Sequence, residues 1–303
     1  MKDNITAVIV ASAYIALTYF FIGLRPEHVI LTGAALAAFL FNEQSRKLIV
    51  GLLPFVVFGI SYDWMRVFPN YLVNPVDTGG LYNLEKTLFG IMGSDGNLLI
   101  PSEYFAIHNS RFMDILAGIF YLGWVPVPVF FAIYLYFKGY KSLFLQFSLV
   151  FLFVNLIGFT IYYIHPAAPP WYAMYYGFEP VIGAPGNVAG LGRFDELTGL
   201  HIFSSIYGRN ANVFAAVPSL HASYLVIALF YSLKGQCQAW ISAVLAVFMF
   251  GIWFTAVYSA HHYIIDVILG ILCAASGILI FELVLMRRRR FRKFLEEYTN
   301  YIK

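Results

Sequence analysis

Long apolar segments recur from one end of this chain to the other, and they restrict the fold it can adopt. A helix that spans the hydrocarbon core of a bilayer needs about 20 mostly apolar residues. The run from Ile264 to Phe281 is apolar enough to cross, and so is the N-terminal run from Ile5 to Leu24. Only 12% of the residues are charged, against about 25% in soluble domains. We therefore predict an all-α, polytopic transmembrane helix bundle.

The apolar runs give eight candidate spans, of which about six to eight should cross the membrane. The second and third are short, so they are either tilted spans or a re-entrant pair. The N-terminal run has no small-residue cleavage site, and we interpret it as a retained span rather than a cleaved signal. The candidates are Ile5–Leu24, Val29–Phe41, Leu48–Tyr62, Ile115–Phe137, Leu143–Ile164, Val217–Leu233, Trp240–Tyr258 and Tyr263–Met286.

Basic residues in the loops predict the orientation, because cytoplasmic loops carry an excess of Lys and Arg. With the N-terminus inside, the cytoplasmic segments are NEQSRK, KGYK, KGQ and the C-terminal RRRRFRK, and each contains a basic residue. The C-terminus is then cytoplasmic too, and its basic tail should contact anionic lipid. The long loops 63–114 and 165–216 fall on the non-cytoplasmic face. The modest net charge of +3 gives no indication of nucleic-acid binding.

The two outer loops have different sequence character. The segment PVDTGGLYNLEKTLFGIMG mixes charged and apolar residues around glycines, and it predicts a short interfacial helix. The segment HPAAPPWYAMYYGFEPVIGAPG is rich in Pro, Gly and aromatic residues and has no helical period. We therefore expect an ordered, irregular cap there.

Two histidines and an aspartate stand at the head of the last span, where an unpaired ionisable group is costly. His262 and Asp266 are four residues apart and therefore share one face of a helix. A carboxylate bonded to one ring nitrogen would fix the tautomer and leave the other nitrogen free as a nucleophile or base. The alternative is a polar pair that only packs the bundle. A second histidine motif facing the pair favours the functional interpretation.

That second motif is AAVPSLHASYL. Pro218 suits the start of a helix, where its missing N–H would be unpaired anyway. Ser219 is close to a capping position, and His221 follows within the first turn. Because free N–H groups at a helix N-terminus bind phosphate, the motif predicts a phosphate site beside a titratable imidazole.

The segments PSLHAS and HHYIIDVILG together resemble the two C-terminal signature motifs of the type 2 phosphatidic acid phosphatase superfamily. YYIHPAAPPWY, PFVVFGISYDWMR and YNLEKTLFG resemble the branch of the inositol phosphorylceramide synthases, the targets of aureobasidin A, with sphingomyelin synthases as more distant relatives. The resemblance covers roughly Leu48 to Leu285. It implies a core bundle of the kind found in that superfamily.

The resemblance also implies a role for individual residues. His262 would attack phosphorus as the nucleophile, with Asp266 as its orienting partner. His221 would protonate the leaving oxygen and later activate the acceptor, and Ser219 would donate to the phosphate oxygens. A phosphohistidine divides one hard displacement into two easier ones. No metal and no cofactor are expected, because fixed donors and cations can stabilise the phosphate oxygens. His261 has no matching role, and we interpret it as interfacial.

The cations of the phosphatase branch are missing at the aligned positions. That branch has an arginine several residues before its nucleophile, whereas Thr255 and Ala256 here are uncharged. A phosphodiester holds one negative charge and needs fewer cations than a phosphomonoester, so the loss favours a diester substrate. Arg209 and Arg66 are predicted to bind the phosphate instead. The arginines on the outer side are Arg66, Arg111, Arg193 and Arg209.

Four other outer residues are candidate substrate contacts. Asp63 and Glu85 are predicted to bind hydroxyl groups of the donor, and His165 and Trp171 to shape the cap over the substrate. With these assignments the chain divides into N-terminal spans over residues 1–47, a catalytic transmembrane domain over residues 48–286 and a basic cytoplasmic tail over residues 287–303.

Three functions remain in competition. The leading hypothesis is a membrane phosphotransferase that moves phosphoinositol from phosphatidylinositol to the primary hydroxyl of ceramide through a phosphohistidine. The first alternative is a lipid phosphate phosphatase that uses water to hydrolyse a phospholipid or isoprenoid phosphate. The second is a non-catalytic lipid-binding or transport protein. Related halves or broken helices would be expected of a transporter, and the sequence indicates neither.

Overall fold

The computed structural model describes residues 2–208 and 212–303, and these are mostly helical. Short 3₁₀ turns lie at Asn70–Leu72, Ala189–Leu191 and Leu285–Arg287. Within the described residues the sheet is one antiparallel hairpin of Ile91–Met92 (β1) and Leu98–Leu99 (β2). The α-helices are α1 (Lys2–Phe21), α2 (Pro26–Phe41), α3 (Glu43–Gly51), α4 (Leu53–Trp64), α5 (Gly80–Phe89), α6 (Pro101–Ile107), α7 (Arg111–Leu122), α8 (Pro126–Phe137), α9 (Lys141–Ile164), α10 (Pro170–Tyr176), α11 (Gly192–Thr198), α12 (Ile202–Tyr207), α13 (Leu220–Lys234), α14 (Ala239–Tyr258), α15 (Ile264–Leu283) and α16 (Arg289–Ile302).

The predicted transmembrane bundle is confirmed. In the described part of the chain, four helices are long and apolar enough to cross a membrane, and six spans result if each bent helix pair counts as one. The long helices are α1, α9, α14 and the segment Ile264–Arg287 that contains α15. The shorter apolar helices α2 and α13 correspond to the second and sixth predicted spans.

Two predicted spans are broken rather than continuous. The third is α3 followed by α4, with a bend of 50°, and the fourth is α7 followed by α8, with a bend of 45°. A proline stands in the first turn of the second helix in each pair, Pro54 in α4 and Pro126 in α8. Proline lacks the N–H that would bond to the preceding turn and its ring clashes there. The prediction of one continuous helix over Ile115–Phe137 is therefore wrong.

The helices α13 and α15 approach each other so closely that their backbones touch. A Cβ atom added to Gly270 of α15 would lie 2.1 Å from the carbonyl oxygen of Ser219. One turn further along α13, the hydroxyl of Ser223 donates to the Gly270 carbonyl at 2.7 Å. Only glycine allows this separation, because any larger residue would place its side chain in the space that Ser219 occupies.

A partly exposed polar cluster links three helices at the other end of α13. The ammonium of Lys234 lies 2.6 Å from both carboxylate oxygens of Glu282 on α15 and 2.7 Å from Gln146 Oε1 on α9. The Tyr231 hydroxyl donates to the same carboxylate at 2.6 Å. A network in which one ammonium and one carboxylate share several partners holds its side chains in one geometry better than an isolated surface ion pair does. The cluster therefore fixes the relative rotation of the helices that carry the histidine motifs.

The predicted helix in the first outer loop is present as α5, but the second outer loop is more regular than expected. The Pro-rich segment contains the short helix α10, and the short helices α11 and α12 follow it in the same loop. Helices of six or seven residues span fewer than two turns, which is too short to show an apolar period in the sequence. The outer loops meet in parallel bridges that pair Ala167 with both Asp77 and Ala215.

Gly270→Ala is expected to lower the melting temperature of the purified protein, because the new methyl group meets backbone rather than a flexible side chain. Overpacking of this kind typically costs about 1–3 kcal/mol. Gly59→Ala in α4 is the matched control, since its added methyl group has no neighbour within 4 Å. Equal melting temperatures for the two variants in detergent would contradict the close approach.

Candidate active site

The first histidine motif forms the start of α13. Ser219 is the N-cap, and its hydroxyl accepts a hydrogen bond from the N–H of Ala222 at 3.4 Å. His221 lies in the first turn, as predicted, while Pro218 precedes the cap instead of occupying the first turn. Serine is among the best N-cap residues because its oxygen satisfies a helix donor that would otherwise be unpaired.

His221 and His262 are in direct contact. The distance from His221 Nδ1 to His262 Nε2 is 3.1 Å, and His262 Nδ1 lies 3.1 Å from the backbone oxygen of Ala216. A carbonyl oxygen can only accept, so His262 Nδ1 carries the proton and Nε2 of the neutral ring has a lone pair. His221 Nδ1 then donates to that lone pair. His262 Nε2 is thus the ring nitrogen whose lone pair can attack phosphorus once the hydrogen bond from His221 is released.

Asp266 stands beneath His262. One of its carboxylate oxygens, Oδ2, lies 3.4 Å from His262 Nδ1 and accepts a hydrogen bond from the N–H of Tyr263 at 2.9 Å. The Asp266 side chain is completely buried. Since Nδ1 faces both this carboxylate and the Ala216 oxygen, any positive charge that develops on the ring is stabilised from two directions.

The two motifs are also joined through their backbones. The N–H of Ser219 donates to the carbonyl of Asp266 at 2.9 Å. This bond links the cap of α13 to the first turn of α15, next to the contact at Gly270. The separation of the two histidines is therefore fixed by main-chain atoms as well as by their side chains.

The histidines open into an aromatic cavity of about 180 Å³. Trp124 packs its edge against the ring of His221, with ring centroids 4.5 Å apart. Among the described residues, no Lys, Arg, Asp or Glu side chain lines this cavity. Its lining consists of Phe58, Tyr62, Tyr121, Trp124, Phe159, Tyr162, Pro169, Trp171, Ile206, Tyr207, Asn212, Val213, Ala215, Ala216, Leu220, His221, Tyr224, His261 and His262.

His261 is part of the cavity wall, and the interpretation of an interfacial residue is wrong. Its ring is buried and stacks on Tyr207 at 4.1 Å between centroids, and its Nε2 donates to the carbonyl of Val188 at 3.1 Å. Burial, together with the nearby His262, lowers the pKa of His261 to about 3. His261 therefore stays neutral at physiological pH and acts as a fixed wall beside the reactive pair.

Two of the four arginines expected on the outer side are paired with carboxylates. Arg66 pairs with Asp63 at 3.2 Å, and Arg193 pairs with Asp114 at 2.6 Å. Neither lines the aromatic cavity. The other predicted phosphate ligand, Arg209, lies outside the described residues.

The remaining predicted substrate contacts are divided between the cavity and its surroundings. Trp171 is buried in the cavity wall, whereas His165 is half-exposed and lies 3.4 Å from Asp77. Asp63 is held by Arg25, by His28 at 3.0 Å and by Arg66, and it does not line the cavity. In the described chain, His, Cys, Asp and Glu side chains form no group of three or more that could hold a metal ion.

Paired imidazoles, a neighbouring carboxylate and a helix N-terminus form an arrangement that is suited to phosphoryl transfer. The family model of the PAP2 superfamily matches residues 95–280 of this chain. The chain belongs to this superfamily, in the branch that contains the inositol phosphorylceramide synthases. The resemblance predicted from the motifs is confirmed.

Individual relatives make the placement more specific. The chain is 59% identical to a phosphoinositol dihydroceramide synthase of Bacteroides thetaiotaomicron, over 100% of this chain and 99% of the relative. It is 28% identical to the inositol phosphorylceramide synthase catalytic subunit AUR1 of Saccharomyces cerevisiae, over 72% of this chain and 52% of the relative. It is 26% identical to an inositol phosphorylceramide synthase of Candida albicans, over 61% and 41% of the two chains. No solved structure gives a significant match to the chain.

Sequence reasoning missed most of the cavity wall. Tyr62, Tyr121 and Tyr207 are aromatic residues within apolar helices, where they are indistinguishable from ordinary packing residues. Trp124 had a usable signal, because it follows a glycine and stands two residues before Pro126. A large aromatic at a break within a span is a candidate for the wall of a site.

His262→Ala is expected to reduce turnover of a lipid phosphoester to background, because no nucleophile remains. His221→Ala should lower kcat by about 10²–10⁴-fold, the usual contribution of a positioned acid or base. His108→Ala is the control, since this exposed histidine stacks on Tyr104 and bonds to the Tyr104 carbonyl, away from the histidine pair of the site. Turnover per mole of monodisperse protein measures all three, and wild-type rates for either active-site variant would refute the assignment.

Proposed function

We propose that this chain is a membrane enzyme that transfers phosphoinositol from phosphatidylinositol to the primary hydroxyl of a ceramide-type lipid. The observation that carries the proposal is the 3.1 Å contact between His221 Nδ1 and His262 Nε2. It brings a free ring nitrogen and a proton carrier to one point in an aromatic cavity. The Bacteroides relative is named for phosphoinositol and dihydroceramide, which supports this donor group and this class of acceptor.

In the first step, His262 Nε2 attacks the phosphorus of the donor and the phosphorus–oxygen bond to diacylglycerol breaks. His221, protonated on both ring nitrogens, gives its Nδ1 proton to the leaving oxygen. The phosphodiester anion favours this protonated form. Phosphoinositol is left on His262, whose ring now carries positive charge that Asp266 and the Ala216 oxygen stabilise. Diacylglycerol then leaves the site.

In the second step, neutral His221 takes the proton of the acceptor hydroxyl as its oxygen attacks phosphorus. The phosphorus–nitrogen bond breaks, the electron pair returns to His262 Nε2, and the inositol phosphorylceramide-type product is released. The direct contact between the two nitrogens fills the space that phosphorus would occupy. Substrate binding must therefore move the rings apart, and the roles of both histidines depend on that opening.

The described part of the cavity wall carries no Lys, Arg, Asp or Glu side chain, which supports a diester over a monoester. A phosphomonoester dianion would bring two charges into a pocket where no described residue offers a Lys or Arg side chain, and desolvating charge without a partner is costly. A phosphodiester brings one, which the helix N-terminus at Ser219 and a protonated His221 can offset. This difference favours the transferase over the lipid phosphatase alternative.

The orientation inferred from the basic loops completes the proposal. The α13 start and the α14–α15 turn would face the non-cytoplasmic side, so that the reaction takes place at the level of the outer headgroups. The basic helix α16 would lie at the cytoplasmic surface, where its exposed arginines meet anionic lipid.

Purified protein given phosphatidylinositol labelled in the inositol ring is expected to move the label to ceramide or dihydroceramide and to release diacylglycerol in equal amount. Label should remain in phosphatidylinositol when the acceptor lipid is left out. Release of inorganic phosphate from phosphatidic acid, with no need for ceramide, would support the phosphatase alternative instead. Thin-layer separation of the labelled lipids distinguishes these outcomes.

Cysteine accessibility measures the orientation. With Cys237 and Cys273 changed to Ser, Glu179→Cys in the second outer loop should react with a membrane-impermeant maleimide in intact spheroplasts. Asn300→Cys in α16 should react only after the membrane is opened. Both positions are exposed, so protection reflects the membrane rather than burial, and the reverse pattern would invert the predicted topology.

A further inference from the structure

Glu85 reaches from α5 to the start of α15. Its carboxylate accepts a hydrogen bond from the N–H of Ile264 at 2.8 Å and one from the N–H of Ile265 at 3.2 Å. The residue is only 1% exposed, and it does not line the aromatic cavity. The structure therefore places Glu85 at the start of α15, outside the described wall of the aromatic cavity.

The two bonds satisfy donors that α15 cannot satisfy itself. The first N–H groups of any helix have no partner within the helix and need a cap. Tyr263, the N-cap residue, makes no side-chain capping bond. Asp266 accepts from the Tyr263 N–H but is also the partner of His262. Glu85 supplies the acceptors for the next two N–H groups, from a helix far away in sequence.

A buried carboxylate is costly at this position unless its hydrogen bonds to α15 offset the loss of solvation. Burial raises the pKa of Glu85 to about 7, the two backbone donors oppose this rise, and Asp266 adds to it. A neutral acid keeps one good acceptor, its carbonyl oxygen, while its hydroxyl oxygen accepts only weakly. The pair of bonds is therefore strongest for the ionised carboxylate.

The helix that carries Glu85 is itself fixed to the cap over His262. Asp77 accepts from the N–H of Gly80 at the start of α5 at 2.6 Å, and its backbone pairs with Ala167. Ala167 in turn accepts from the N–H of Ala216 at 3.3 Å, the residue whose carbonyl receives the Nδ1 proton of His262. Both loops thus position the same histidine. Loop 165–216 provides the Ala216 carbonyl, and loop 63–114 acts through Glu85 on the start of α15.

We propose that Glu85 is a positioning residue for the catalytic pair, whose carboxylate fixes the first turn of α15 and thereby keeps Asp266 and His262 aligned with His221. The inference rests on the proposed function, since its measure is the transfer of phosphoinositol. Losing the cap would let the first turn of α15 shift, and a displacement of about 1 Å at reacting atoms costs up to about 10²-fold in rate.

The experiment compares Glu85→Gln and Glu85→Ala with the wild-type protein in steady-state transfer from phosphatidylinositol to ceramide in mixed micelles. The Gln variant keeps one acceptor oxygen and should lose about 10-fold in kcat, while the Ala variant keeps none and should lose about 10²-fold. The KM values for both lipids should stay within about twofold of wild type, because Glu85 does not touch the cavity.

Glu103→Gln is the matched control. Glu103 is also an outer carboxylate that caps a helix, accepting from the N–H of Ile100 at 3.0 Å and from the Tyr82 hydroxyl at 2.8 Å, but its helix is α6. Its kcat should stay within about twofold of wild type, since the amide oxygen of Gln still accepts from the Tyr82 hydroxyl.

Rates are normalised to monodisperse protein, so that a loss of folded protein is separated from a loss of rate. Wild-type kcat in Glu85→Ala would overturn the inference, as would losses that vanish on normalisation or that appear equally in Glu103→Gln. If the wild-type protein itself transfers no phosphoinositol, the proposed function fails instead, which keeps the two results distinct.

Discussion

The approach of two helix backbones is the constraint on which the rest of the structure depends. Gly270 of α15 lies against the carbonyl of Ser219 at the start of α13, with no side chain between them. His221 lies in α13 and His262 in the turn just before α15, and the two can meet only if this separation is kept. The polar cluster around Lys234 prevents the same pair of helices from rotating at their opposite end. The catalytic geometry is thus a property of the bundle packing before it is a property of the side chains.

The site also shows how a phosphate can be handled in apolar surroundings. The cavity wall is aromatic, and the neighbouring His261 is kept neutral by its burial. Among the described residues, the side chains with polar atoms that line the cavity are histidines, tyrosines, tryptophans and Asn212. Such a pocket suits a lipid headgroup that enters sideways from the bilayer, because aromatic faces contact both its apolar and its hydroxyl-bearing parts.

The sequence predicted the helical bundle and the central residues because those depend on local spacing. His262 and Asp266 are four residues apart and Ser219 precedes His221 by two, so the motifs were sufficient, although His262 lies in the turn before α15 rather than on the helix itself. Contacts between distant segments could not be read in this way. The bonds from Glu85 to α15 cross 179 residues or more of sequence, and no spacing rule connects them. The broken spans were missed because a proline can either kink a helix or begin a new one.

The Nδ1 proton of His262 is held by a peptide oxygen, that of Ala216. Every amino acid has this backbone oxygen, so a substitution at this position leaves the tautomer unchanged as long as the backbone keeps its course. Alanine scanning does not remove this hydrogen bond for the same reason. The course of the main chain therefore sets the tautomer of His262. Only a change in the course of the loop, or an amide-to-ester replacement that weakens the carbonyl as an acceptor, would show how much this hydrogen bond contributes.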